Sequence, residues 1–191
     1  EKGKYLNILF KKIRASSEYF DELKSLVKTG YQVKDIEIIK HNLKLPENFI
    51  PITDISKNLI GRQAWVYLKN RGITIEDIKK YNIGYCEYGK YSKMIIIPSY
   101  NINGSLNYFT GRSFEKDPYT KYKNPEISRD IIPNEHLINW SLPLVICEGM
   151  FDAIAIKRNA IPLLGKNIQS ELRKKIVTST IKKIYIALDT D

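Results

Sequence analysis

The chain has 191 residues, room for one large or two small domains. With 43% hydrophobic and 27% charged residues it can support a core, and no apolar run is long enough to be a leader or a membrane span. Its net charge of +10 points to a polyanionic partner, and two scattered cysteines exclude a disulfide framework and fit a reducing cytoplasm.

Residues 1–45 read as helices, with Ser16 or Ser17 opening EYFDELKSLVKTG and Gly30 ending it. Leu45–Asp54 holds two prolines and reads as a linker or extended arm. A helix is expected over Ser56–Asn70, and a shorter one after Thr74, whose first turn carries Glu76 and Asp77 and which Gly84 can end. Met94–Tyr100 and Leu106–Arg112 read as two strands joined at Asn103-Gly104, a pair that tolerates positive φ. Beyond about Leu142 the pattern changes. Leu144–Cys147 is a short continuous apolar run, suited to a strand buried on both faces. Gly149–Asn159 has Phe151, Ile154, Ala155 and Ile156 at helical spacing, and Ala160–Leu164 is a second strand. A helix from Ile168 to about Ser179, with Ile168, Leu172, Ile176 and Val177 on one stripe, leads to a third strand, Ile184–Leu188. The order βαβαβ implies a parallel sheet with right-handed crossovers, whose ligands lie beyond the carboxyl ends of the strands.

Those ends are acidic. Glu148 follows the first strand and is followed at once by Gly149; Asp189 and Asp191 follow the third, two apart and so on one face. Carboxylates gathered in this way repel unless a cation sits between them, and a divalent metal with oxygen ligands is the natural occupant. Each feature has a plainer reading alone. Glu148 near a helix N-terminus is favoured by the helix dipole. The two aspartates can form a solvated turn, and Asp152 can be a solvent-facing helix residue.

ICEGMFD followed by ALDTD resembles the Toprim domain of bacterial-type primases, topoisomerases and some nucleases. The glutamate–glycine pair is Glu148-Gly149, the DxD motif is Asp189-Thr190-Asp191, and Asp152 matches a further acidic position seen in primases. RGITIEDIKKYNIGYC (Arg71–Cys86), MIIIPSYNINGSLNYFTGRSF (Met94–Phe114) and YTKYKNPE (Tyr119–Glu126) are similar, in the right order, to the segment preceding Toprim in DnaG-type primases of bacteria and phages. The resemblance implies an α/β chain in three parts. Residues 1–54 are a helical segment and linker, in which EKGKYLNILFKKI resembles the tail of a zinc ribbon. Residues 55–141 are a basic α+β subdomain, and residues 142–191 a Toprim-type parallel sheet, incomplete because the chain stops directly after DxD. Cys86, Cys147, His41 and His136 are too isolated for a zinc site and read as structural.

By the same resemblance the activity is that of a DNA primase core, making short RNA primers on a single-stranded DNA template from ribonucleoside triphosphates. Glu148, Asp189 and Asp191 would be catalytic and hold Mg²⁺ (Mn²⁺ in vitro), with Asp152 as a weaker or indirect ligand. Arg112, Lys121, Lys123 and Lys166 would bind nucleotide or DNA phosphates. Two departures bear on those contacts. No lysine precedes the hairpin glycine, where Asn101, Ile102 and Asn103 stand, and Gly165-Lys166-Asn167 replaces a Gly-Thr-Ser-like stretch. A replicative helicase, in the same or a separate chain, is the implied partner. The implied location is the bacterial cytoplasm, or the host's for a phage protein. A Toprim nuclease or topoisomerase, and a non-catalytic protein binding single-stranded DNA, stay open as alternatives.

Overall fold

A computed structural model of the chain describes residues 43–52 and 58–189, which fall within one compact unit, His41–Asp191. The N-terminal helices and zinc-ribbon-like tail expected before His41, His41 itself, and Asp191 lie outside the described residues.

Five short strands form the first sheet: β1 (Phe49–Pro51), β2 (Gly84–Cys86), β3 (Met94–Tyr100), β4 (Leu106–Ser113) and β5 (Tyr122–Lys123). They are antiparallel in the order β1-β2-β3-β4-β5. The expected β3–β4 hairpin is present, but its turn is built differently. Only Gly104 takes positive φ (75°), while the Asn101 carboxamide oxygen accepts the N–H groups of Asn103 and Ser105. The stretch expected to be a linker contributes β1, so the arm is tied into the sheet edge.

Two helices cover one face of this sheet, α1 (Leu59–Asn70) and α2 (Ile75–Tyr81). The first starts at Leu59 rather than Ser56, because Asn58 is extended and its side chain accepts the Gly61 N–H at 2.6 Å. The second has the expected Thr74 cap, completed by Asp77 as a capping box. It ends at Asn82 in the left-handed region, not at Gly84, which opens β2 instead. Strand β3 alternates as its period of two demands. Ile95 and Ile97 join Ala64, Leu68 and Ile78 under the helices, while Met94 and Ile96 join Cys86, Tyr91 and Phe109 on the opposite face.

The second sheet is parallel, as the βαβαβ pattern required. β6 (Leu144–Cys147) lies between β7 (Ala160–Pro162) and β8 (Ile184–Ala187). Helix α3 (Met150–Ile156) is shorter than expected, stopped by Lys157 at φ 53°. It packs Met150, Phe151 and Ile154 into the same core as α1, α2 and β3, so the first sheet and the crossover helix of the second share one hydrophobic cluster. Helix α4 (Ser170–Thr178) buries Leu172 against Leu144, Ile146 and Ile161. Of its expected stripe, Ile176 packs partly, while Ile168 and Val177 are exposed. Among the described residues no helix is long and apolar enough to cross a membrane.

Candidate functional site

The carboxyl end of β6 and the residues after β8 open onto a cleft of about 430 Å³. Its acidic wall is Glu148, Asp152 and Asp189; its basic wall is Arg71, Arg112 and Lys121. Tyr122, Asn124, Thr110, Phe151 and Leu164 are also part of the lining. Among the described residues no ion pair closes between the two walls.

Each acidic group is placed by local backbone. Glu148 is the first residue past β6, and its Oε1 accepts the Asp189 N–H at 3.3 Å, which draws the ends of two adjacent parallel strands together. Asp152 turns back to accept the Gly149 N–H at 2.9 Å, capping α3. That bond makes it a positioned neighbour of Glu148 with one oxygen already engaged. Gly149 keeps the turn narrow, since a Cβ there would stand 3.1 Å from Asp152 Oδ2. Leu164, at φ 55°, closes the far side. Its N–H reaches the Glu148 carbonyl and its own carbonyl accepts from Arg129, contacts that hold a backbone conformation unusual outside glycine.

The basic wall comes from the antiparallel sheet and α1. Arg112, in β4, pairs with Tyr122 of β5, and the two side chains are joined by a short Nη1–Oη hydrogen bond. Strand β5 approaches closely because residue 111 is glycine; a Cβ there would lie 2.4 Å from the Lys123 carbonyl oxygen. Arg71 caps the C-terminal end of α1, where a cation also suits the helix dipole.

Of the residues picked out from the sequence, the structure brings together Glu148, Asp152, Asp189, Arg112 and Lys121. It does not bring in two others. Lys123 donates to the Lys90 carbonyl at 3.0 Å, and Lys166, exposed on the turn after Leu164, is not among the lining residues. Arg71, Tyr67, Tyr122 and Phe151 were not picked out. The i, i+4 spacing of Tyr67 and Arg71 on one helix face was the available signal. Cys86 and Cys147 are buried in separate clusters, and His136 packs edge-on against Tyr100.

The donor set offered to a metal is carboxylate oxygen throughout, which suits a hard divalent cation rather than zinc. Among the described residues no three His, Cys, Asp or Glu side chains converge closely enough to hold an ion, and Asp191 lies outside them. The fit is therefore one of chemistry, with Glu148 and Asp189 as its described part.

A parallel sheet with acidic strand ends and an antiparallel sheet carrying Arg112 line one cleft of a mixed α/β chain. No family model matches the chain. It is 30% identical over 133 residues to the uncharacterized protein MG010 of Mycoplasma genitalium, covering 65% of this chain and 61% of that protein. It is 26% identical to the DNA primase of Legionella pneumophila, covering 69% of this chain and 30% of that enzyme. The chain thus spans less than two thirds of the length of either curated relative. Among solved structures, the Escherichia coli primase catalytic core matches with a TM-score of 0.59 at 17% identity, over 70% of this chain and 57% of that one. A DnaG primase catalytic domain bound to single-stranded DNA matches with a TM-score of 0.60 at 17% identity, over 72% and 57%. The fold of this chain is that of the DnaG-type primase catalytic core.

Proposed function

We propose that the chain is the nucleotidyl-transfer core of a DNA primase, copying single-stranded DNA into a short RNA primer. The observation that carries this reading is the cleft itself. Carboxylates at the ends of two neighbouring parallel strands face arginine and lysine side chains with no ion pair across. An anionic substrate that arrives with its own cation would satisfy both walls at once. The primase relative and the primase domain of the same fold bound to single-stranded DNA support a DNA template as the partner.

In the reaction the 3′-hydroxyl of one nucleotide attacks the α-phosphorus of the next and pyrophosphate leaves. Arg71, Arg112 and Lys121 would bind and orient phosphate oxygens, fixing the in-line geometry and offsetting developing charge. Glu148 and Asp189, with Asp191 beyond the described residues and Asp152 in support, would hold the cation. Mg²⁺, when bound, supplies a Lewis acid that screens the triphosphate and lowers the pKa of the attacking hydroxyl. Asp152 would keep Glu148 and Gly149 in register through its hydrogen bond to the Gly149 N–H. The parallel-sheet part is Toprim-like on this reading, and a bacterial or phage replication setting in the cytoplasm, beside a helicase, goes with it.

The test is labelled ribonucleotide incorporation on single-stranded DNA with Mg²⁺ or Mn²⁺, using the full-length protein and its Glu148→Gln variant. Short RNA made only by the unmodified protein is the expected result. Metal-dependent DNA cleavage would replace the reading with a nuclease, and metal-independent DNA binding without product would replace it with an accessory protein.

A further inference from the structure

The basic wall contains a device that the charges alone do not explain. Arg71 and Arg112 come from different elements, yet both donate their Nε–H to one atom, the Tyr67 phenol oxygen, at 2.9 and 2.6 Å. Two guanidiniums brought this close repel each other, and the arrangement stands because uncharged groups hold both. Phe151 lies beneath both, with the guanidinium carbons 5.1 and 5.5 Å from its ring centre. Tyr67 and Tyr122 each present a ring to one of them, at 5.1 Å to Arg71 and 4.7 Å to Arg112. A cation over an aromatic face is attracted by the ring quadrupole. Tyr67 engages Nε of both arginines and Tyr122 engages Nη1 of Arg112, which leaves both Nη groups of Arg71 and Nη2 of Arg112 for a ligand in the cleft that the two arginines line. Arg71 can therefore grip a phosphate with two prongs, and Arg112 can add a third donor from the other side.

We propose that Tyr67 is a positioning residue that locks Arg71 and Arg112 into one paired receptor for a single phosphate group facing the Glu148–Asp189 wall. This rests on the primase reading for the identity of the ligand, but the receptor itself needs only a phosphate. The group can come from an incoming triphosphate or from a nucleic-acid backbone. Tyr67 touches neither the ligand nor the carboxylates; it acts through the arginines. Without its oxygen the two guanidiniums would move apart and bind as independent charges.

The experiment uses the full-length protein and the Tyr67→Phe variant, which keeps the ring and removes the shared acceptor. Binding is measured to two probes, a labelled Mg²⁺–nucleoside triphosphate and a labelled oligothymidylate. Ribonucleotide incorporation is measured alongside. Losing a hydrogen bond made to a charged partner is expected to weaken binding about tenfold or more to the probe whose phosphate is held. In the incorporation assay the change should appear in KM, with kcat within about twofold. The same substitution is then made in an Arg71→Ala/Arg112→Ala background, where it should cost nothing further. An equal cost in both backgrounds would mean that Tyr67 matters only to the fold, and no cost in either would mean that it positions nothing. Either result overturns the proposal. Loss confined to the triphosphate or to the oligonucleotide identifies the source of the phosphate and supports it. If the unmodified protein makes no RNA but Tyr67→Phe still weakens phosphate binding in the predicted pattern, the primase reading fails and the paired receptor stands.

Discussion

Asp77 joins the two halves of the molecule, and removing it should be measurable as stability. One carboxylate oxygen, Oδ2, accepts the Thr74 N–H at 2.9 Å and the Thr74 hydroxyl at 2.8 Å, and meets Lys157 Nζ from the end of α3 at 3.0 Å. Losing the capping interaction costs about 1 kcal/mol. The Lys157 ion pair adds about 0.5 kcal/mol, kept small because Lys157 is 48% exposed. Asp77→Ala should therefore lower unfolding stability by about 1.5 kcal/mol in urea denaturation at neutral pH. Lys157→Ala should lower it by about a third of that, and the double variant should cost no more than Asp77→Ala alone. The pH dependence has a definite sign. Burial raises the Asp77 pKa, but the Thr74 N–H, Lys157 and the Thr74 hydroxyl outweigh it, leaving the group below its ordinary value of 3.8. A depressed carboxylate contributes fully above its unfolded-state pKa and loses that contribution as pH falls through the folded one. The gap between the unmodified protein and Asp77→Ala should then hold steady well above the ordinary value of 3.8 and narrow as pH falls below it. A gap that persists undiminished in acid would refute the assignment of this energy to the charged carboxylate.

Gly111→Ala should separate β5 from β4, because the new methyl would stand 2.4 Å from a backbone oxygen that cannot swing aside. The expected cost is about 1–3 kcal/mol in denaturation, together with weaker oligonucleotide binding as Tyr122 leaves Arg112; wild-type behaviour in both assays would contradict the close approach. The cysteines should be silent in the folded protein. Burial pushes Cys86 up to about 11 and Cys147 up to about 12, so neither is thiolate near neutral pH. A disulfide reagent should titrate both only after denaturant is added, and fast labelling of the native chain would show that one of these clusters opens.

How much of this was legible depended on the range over which each feature is determined. The β3–β4 hairpin and the βαβαβ order could be read because apolar periodicity runs over four or more residues in each element. Thr74 and Asp77 were readable as a cap because a capping box is contained within four residues. Strands β1, β2 and β5 have three, three and two residues, too short to show alternation, and exist only because a neighbour offers each an edge: β2 to β1, β3 to β2 and β4 to β5. Gly84 looked like a helix stop when its role is to admit the Phe49 ring, whose nearest atom would lie 2.3 Å from a Cβ. The acidic wall was legible from Glu148-Gly149 and the DxD spacing, since strand ends in a parallel sheet converge by topology. The basic wall was only half legible. Lys121 and Lys123 have equivalent spacing, and only the tertiary contact to the Lys90 carbonyl takes Lys123 elsewhere. Tyr67 and Arg112 meet across 45 residues, which no local pattern reports.

The position of Phe151 shows why core and site cannot be separated here. It is one residue from Asp152, whose carboxylate caps α3 at the cleft, and it is itself 7% exposed within the cluster that α3 shares with the first sheet and its helices. Its ring meets Tyr67 edge-on, at 6.4 Å between centres, and lies beneath both arginines. One apolar side chain therefore fixes the acidic wall through its own helix and the basic wall through its ring. The hydrophobic packing that orders α3 also sets the gap between the carboxylates and the guanidiniums. Phe151 is thus the apolar spacer between the two walls, held by the core it shares with α1, α2 and β3.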